Sequence, residues 1–219
     1  MKLVIFDVDG TLVDSQALIL AAMTHGLEVA GLKALPREKV LSIVGLSLGV
    51  AVAELVPDAP ADVQDAVVAG YRAAFQQARL QQVAPLYPGA EECLRQLAAR
   101  DDLLLAIATG KSRRGLLAMV KAHGWEKLFL SLQTADDHPS KPHPGMIEAA
   151  LSECGIAADR AVMIGDTSFD MDMARAAGVA GFGVSWGYHP VPSLHAAGAR
   201  LVAPDYPALT QSLLEWANE

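Results

Sequence analysis

Short apolar runs recur along the chain at residues 3–6, 103–108, 128–132, 161–164, 181–184 and 200–203. The first is Leu-Val-Ile-Phe, with no polar residue to mark a solvent face, which is the pattern of a strand covered on both sides. Amphipathic helical patterns at 90–99, 113–123, 145–154 and 170–177 lie between most of these runs. Strands alternating with helices imply a parallel α/β sheet wound in both directions, as in Rossmann-like folds.

One interval breaks the rhythm. About seventy residues separate the first run from the second, far more than one crossover helix needs. Helical patterns at 15–30, 37–44, 48–55 and 61–82 fill this interval, with Pro36, Pro57 and Pro60 as boundaries and Pro85-Leu86-Tyr87-Pro88-Gly89 as the returning turn. The expected organisation is an α/β core of residues 1–14 and 83–219 with an inserted all-helical domain at 15–82.

Seventeen Lys and Arg against twenty-five Asp and Glu give a formal charge of −8. A net field of that sign repels nucleic acids and anionic membrane surfaces, so neither is an expected partner. No apolar stretch reaches the ~18 residues of a membrane span, and the apolar run after Met1 and Lys2 is too brief for a secretion signal. Cys93 and Cys154 are too few and too far apart for a disulfide framework or a zinc cluster. Reduced thiols in the cytoplasm are the expectation.

Asp7 and Asp9 end the first strand two residues apart, so both carboxylates point to one side of the crevice where parallel sheets bind ligands. A simple turn or helix cap would use the same residues. Asp166 and Asp170 follow another strand end, with Gly165 allowing close backbone approach. Oxygen ligands without thiolates or paired imidazoles suit a hard cation such as Mg²⁺; the alternative for Asp170 is a helix N-cap. Thr109 and Gly110 offer a hydroxyl and backbone N–H groups at a helix start, where phosphate oxygens bind, although Thr is also a good strand residue. The string Gly110-Lys111-Ser112 is not a P-loop, because position 105 is Leu where that motif needs Gly. Lys141 is flanked by prolines, and a fixed ammonium there can neutralise a carboxylate and a phosphoryl group together. His143 is expected to be peripheral, and Trp186 and Tyr188 are expected to pack rather than to line a substrate entrance.

In order along the chain, Asp7-x-Asp9-Gly10-Thr11, Thr109, Lys141 and Gly165-Asp166-x-x-x-Asp170 resemble the four motifs of the haloacid-dehalogenase-like hydrolase superfamily. The insertion resembles the helical cap of the subgroup holding phosphoglycolate phosphatases, β-phosphoglucomutases and the dehalogenases. The resemblance implies a Mg²⁺-dependent phosphatase acting on a small phosphorylated metabolite, phosphoglycolate-like or a sugar phosphate, as a monomer or homodimer. Asp7 would be the nucleophile and Asp9 the general acid and base, lending its backbone carbonyl to the metal. Thr109, Gly110 and Lys141 would bind the phosphoryl group. Asp166 would ligate Mg²⁺ directly, and Asp170 through water or by orienting Lys141. The metal-free dehalogenases lack the second aspartate of the first motif, so Asp9 favours phosphoryl transfer.

The cap's specificity loop would fall at 44–49, around Gly45. It carries no cation, which argues against a β-phosphoglucomutase and leaves Arg37, Lys39, Arg72, Arg113 or Arg114 to meet any second anion on a substrate. A phosphomutase or a pyrophosphatase remains the alternative within the superfamily. Outside it, a phospho-accepting receiver module shares several groups, but the inserted helices and the second aspartate, ready to discharge an aspartyl phosphate, oppose it.

Overall fold

A computed structural model describes residues 1–81 and 83–219. Strands β1 (Lys2–Phe6), β2 (Leu103–Thr109), β3 (Ser131–Thr134), β4 (Ala161–Gly165), β5 (Ala180–Val184) and β6 (Leu201–Ala203) form one sheet in the order β3-β2-β1-β4-β5-β6. Each neighbouring pair runs parallel. The winding direction reverses at β1 and β4, which makes the sheet the expected doubly wound α/β type and opens a crevice at the carboxyl ends of these two strands.

Helices α1 (Gln16–Val29), α2 (Arg37–Leu41), α3 (Leu48–Leu55) and α4 (Ala61–Gln81) lie between β1 and β2. They bury an apolar cluster of their own, including Ile19, Met23, Leu27, Val40, Val52, Leu55 and Val67. The two passages of chain joining them to the sheet run side by side: Asp14 N–H donates to the Pro85 carbonyl at 2.9 Å and Tyr87 N–H to that of Leu12 at 3.0 Å. The helical pattern 61–82 is seen as Ala61–Gln81, and Gln82 lies outside the described residues.

Six further helices are α5 (Ala90–Ala98), α6 (Arg113–Ala122), α7 (Gly145–Cys154), α8 (Ser168–Ala176), α9 (Val191–Ala196) and α10 (Tyr206–Asn218). The period of two along β1 sorts them into layers. Val4 and Phe6 join a cluster with α5, α6 and α10, whereas Leu3 and Ile5 join α7 and α8 on the opposite face. Burial on both sides is the physical reason for the unbroken apolar runs.

Three expectations shift. Of the expected run 128–132 only Ser131 and Leu132 lie in the third strand, because residues 128–130 form a turn that leaves Leu130 60% exposed while Phe129 packs edge-on against Trp125. The strand is the polar segment Ser131–Thr134, buried because its side chains satisfy one another and their neighbours: Gln133 Nε2 donates to Ser131 Oγ at 2.8 Å, and Thr134 Oγ1 to Asp137 at 2.7 Å. Helix α2 stops at Leu41 rather than at 44. Helix α9 was not anticipated; its short sequence has only a proline at the N-terminus to announce it. No helix among the described residues is long and apolar enough to cross a membrane.

Candidate active site

The carboxyl end of β1 continues directly into the site. Asp7 N–H donates to the Ile164 carbonyl at 2.9 Å, which extends the pairing with β4 by one residue and seats the Asp7 carboxylate at the point where the winding reverses. Asp7 is 1% exposed. Lys141 Nζ stands 2.9 Å from its Oδ1, yet neither Asp7 oxygen accepts a well-directed hydrogen bond among the described residues.

Lys141 is itself wholly buried and pairs more tightly with Asp170, at 2.6 Å. The other Asp170 oxygen accepts from Thr167 N–H at 3.0 Å and Thr167 Oγ1 at 2.7 Å. Thr167 Oγ1 in turn caps the Asp170 N–H, so the two residues form a reciprocal capping box that starts α8. The cap reading and the site reading of Asp170 are therefore one arrangement: the cap fixes the carboxylate that fixes the lysine.

Asp166 follows β4 and is held from two sides. Its oxygens accept from Thr11 Oγ1 and from Tyr188 N–H, each at 2.8 Å. Gly10, with a φ of +85°, and Gly187 approach so closely that a Cβ on either would collide with the Asp166 side chain. Asp7, Asp166 and Asp170 thus form a buried group whose ligand atoms lie within 4.8 Å of one another.

Burial and mutual repulsion push the Asp7 carboxyl up to about 6, against the opposing pull of Lys141, and raise Asp166 well above the usual carboxylate range. Burial works against the Lys141 charge, but Asp170 and Asp7 outweigh it and hold the ammonium above its ordinary value. Among the described residues one ammonium, paired with Asp7 and Asp170, stands against three buried carboxylates, and the Asp7 oxygens accept no directed hydrogen bond. This oxygen-only donor set fits a hard divalent cation.

Asp9 is placed differently. Its carboxylate is engaged by Lys111 Nζ at 2.7 and 2.9 Å and by Ser15 Oγ at 2.6 Å, and Ser15 also contacts the Tyr188 hydroxyl at 3.1 Å. Asp9 lies outside the three-carboxylate group. Asp7, Asp9, Gly45, Thr109, Gly110 and Lys111 line a cavity of about 650 Å³ between the sheet edge and the four inserted helices. Gly110 has no room for a Cβ, which would press on the carbonyls of Gly45 and Leu46. Ser47 N–H donates to Ser140 Oγ at 2.8 Å, joining the same inserted loop to the segment that carries Lys141.

The sequence-derived residues Asp7, Asp9, Thr109, Gly110, Lys141, Asp166, Asp170 and Gly45 are therefore brought together at one sheet edge. His143 is exposed on its loop and accepts from Gly145 N–H. Trp186 packs on Tyr206 and donates to the Thr11 carbonyl at 3.1 Å, as expected of a core aromatic. Tyr188 packs against the apolar cluster of the inserted helices, and beyond that expectation its backbone N–H binds Asp166 and its hydroxyl meets Ser15. Among the cation candidates, Arg72 and Arg114 line the cavity, whereas Arg113 is tied to Asp137 and Arg37 to Gln16. Lys111 was absent from those candidates. Its sole signal was its place two residues after Thr109 on the same strand-end loop.

Together, the doubly wound sheet and the buried acidic group at its switch point define an α/β enzyme. Comparison with known proteins supplies the family: a model described as haloacid dehalogenase-like hydrolase matches residues 4–184. The chain is 35% identical to a probable phosphatase, IndB, of Dickeya dadantii, over 93% of this chain and 90% of that one. It is 33% identical to the pyrophosphatase PpaX of Bacillus pumilus, over 84% of this chain and 82% of the other. A hydrolase from Pseudomonas syringae superposes with a TM-score of 0.87 at 28% identity, covering 98% and 99% of the two chains. The chain belongs to the haloacid dehalogenase-like hydrolase family.

Proposed function

We propose that the chain is a Mg²⁺-dependent phosphatase that cleaves a small phosphomonoester, phosphoglycolate-like or a sugar phosphate, through a phosphorylated Asp7. The observation that carries this reading is the state of the Asp7 carboxylate. It is buried, accepts no directed hydrogen bond among the described residues, stands beside a fixed ammonium, and lines a cavity together with Thr109 and Gly110.

In this reading Asp7 attacks phosphorus in line, forming a carboxylate–phosphorus bond as the bond to the leaving oxygen breaks. Asp9 gives its proton to that oxygen. It then takes a proton from the water that attacks the phosphorylated Asp7, which releases phosphate and restores both carboxyls. The Thr109 hydroxyl, the Gly110 N–H and Lys141 hold the phosphoryl oxygens. Asp7, Asp166 and the Asp9 backbone carbonyl would hold the metal, which supplies charge compensation for the carboxylates and the phosphoryl dianion when bound. Both Asp170 oxygens are already occupied by Lys141 and Thr167, which favours the role of orienting Lys141 over direct ligation.

Residues 15–82 act here as a cap over a core of 1–14 and 83–219. The separate apolar cluster of α1 to α4 and the paired crossings at Leu12–Tyr87 and Asp14–Pro85 support that division. A cap excludes water during transfer and reads the leaving group. A cytoplasmic setting belongs to the same reading, because Cys93 and Cys154 are free thiols. A second reading, hydrolysis of pyrophosphate, is favoured by the resemblance to the Bacillus pumilus enzyme.

The test is phosphate release from a panel of 2-phosphoglycolate, sugar phosphates, nucleoside monophosphates and pyrophosphate, with Mg²⁺ or with EDTA, beside an Asp7→Asn variant. Release that requires both Mg²⁺ and Asp7 is expected. Release that survives Asp7→Asn would falsify the nucleophile assignment.

A further inference from the structure

Lys111 takes no part in the chemistry proposed above, yet its ammonium is bound to the carboxylate of Asp9, which does. Its ammonium grips both oxygens of Asp9, and the two side chains are only 11% and 13% exposed. The ring of Phe75, on α4, lies 5.0 Å from the same ammonium and shields it further. The other cations on the cavity wall are less well placed: Arg72 and Arg114 are exposed, and Arg79 donates to the Arg114 carbonyl.

The pairing cannot persist through catalysis. Asp9 must turn to the leaving-group oxygen, and while both its oxygens are held by Lys111 it is committed elsewhere. A partner of the same sign as Asp9 would release it by taking over the ammonium. Only the lysine side chain needs to move, because Gly110 is wedged against the inserted loop and Lys111 N–H donates to Thr109 Oγ1 at 3.3 Å. A flexible four-carbon stem carrying three donors is suited to such an exchange.

We propose that Lys111 is a specificity residue that exchanges Asp9 for a second anionic group on the substrate, one carried within a few bonds of the scissile phosphoryl oxygen. The inference rests on the phosphatase reading and names the residue that selects the substrate at that site. A carboxylate next to the ester carbon or the second phosphate of a diphosphate would both meet the ammonium, whereas an uncharged alcohol would leave Lys111 on Asp9.

The test is calorimetric binding to an Asp7→Asn protein, which does not turn over, with Mg²⁺ in excess. The ligands are 2-phosphoglycolate, pyrophosphate and, as the singly phosphorylated neutral-alcohol control, ethyl phosphate. With Lys111 present, at least one doubly anionic ligand binds about tenfold or more tighter than ethyl phosphate. In Lys111→Met and Lys111→Gln the preference collapses to about threefold or less, and in Lys111→Arg part of it returns. Which ligand gains tells a carboxylate partner from a phosphate one. Equal binding of all three ligands, binding of none, or a preference that survives both neutral variants overturns the inference. Phosphate release by the wild-type chain is read separately. Release without Lys111-dependent preference sinks the inference alone, and Lys111-dependent preference without release sinks the phosphatase reading.

Discussion

Asp170 holds Lys141 at 2.6 Å through one carboxylate oxygen while its other oxygen is bound by Thr167 at the start of α8. The lysine is thereby anchored to a helix terminus as well as to its own proline-flanked loop, and its ammonium is presented to Asp7 with no exposed surface.

Replacing Lys141 by Met leaves Asp7 and Asp170 buried without a cation. Breaking a buried pair in this way costs about 3–5 kcal/mol. Urea unfolding of Lys141→Met in EDTA should show a loss of that size, together with loss of phosphate release. Lys141→Arg should not restore either property, since the larger guanidinium overpacks a side chain that is fully enclosed. Recovery of wild-type stability in the arginine variant would mean that charge alone matters there.

The parallel sheet and the identity of the acidic residues were legible in the sequence because both rest on local pattern. Doubly covered strands are unbroken apolar runs, and the carboxylates stand at their ends. What stayed hidden depends on partners distant along the chain. Gln133 and Thr134, beyond the apolar run that ends at 132, do not look like strand interior, since only the fold shows their polar groups satisfied by Ser131 and Asp137. Lys111 looked like part of a failed P-loop motif, since its pairing with Asp9 spans 102 residues of sequence. Tyr188 packs as its ring suggests, but an aromatic in a Gly/Pro loop gives no sign that its backbone N–H also serves a carboxylate 22 residues earlier.

Three buried carboxylates that repel one another weaken the metal-free fold, and a cation that binds only the folded state restores the loss. Mg²⁺ at about a hundred times its dissociation constant should stabilise the chain by about 2.7 kcal/mol, read as a rise in Tm. Asp166→Asn removes one of the repelling charges; its single amide oxygen can still accept from Tyr188 N–H, and its amide N–H can donate to the Thr11 hydroxyl, which then serves as acceptor. It should therefore melt no lower than wild type in EDTA and gain little from Mg²⁺. A full Mg²⁺ shift in that variant would place the cation elsewhere.

Gly110 is where the inserted helices touch the strand-end loop, and a methyl group there meets the Leu46 carbonyl at 2.8 Å as well as Gly45. Gly110→Ala should force the two loops apart at a cost of about 1–3 kcal/mol. Phosphate release should fall by more than Tm alone explains, because Thr109 and Lys111 flank the displaced residue. Gly124→Ala is the control: its φ of +70° strains the backbone, but a Cβ there meets nothing, so stability should fall while kcat/KM holds.

Acidification should weaken the fold through one group remote from the catalytic carboxylates, whose own raised pKa values act in the opposite sense. His123 stacks on Trp125 with ring centroids 4.9 Å apart, and its Nε2 is buried without a partner among the described residues. Burial therefore holds its pKa below the ordinary 6.5, more than offsetting the bond to the Ala84 carbonyl and the charge of Glu91. The unfolded chain then binds a proton at a pH where the folded chain does not, so stability rises with pH across that window. The contribution is complete above 6.5 and is lost as pH falls toward the folded value. From pH 7.5 down to 5 the urea midpoint of the wild type should fall relative to that of His123→Phe, which keeps the stack, cannot take a proton and shares the same carboxylate contribution. Identical slopes would show that His123 is protonated as readily in the folded chain as in the unfolded one.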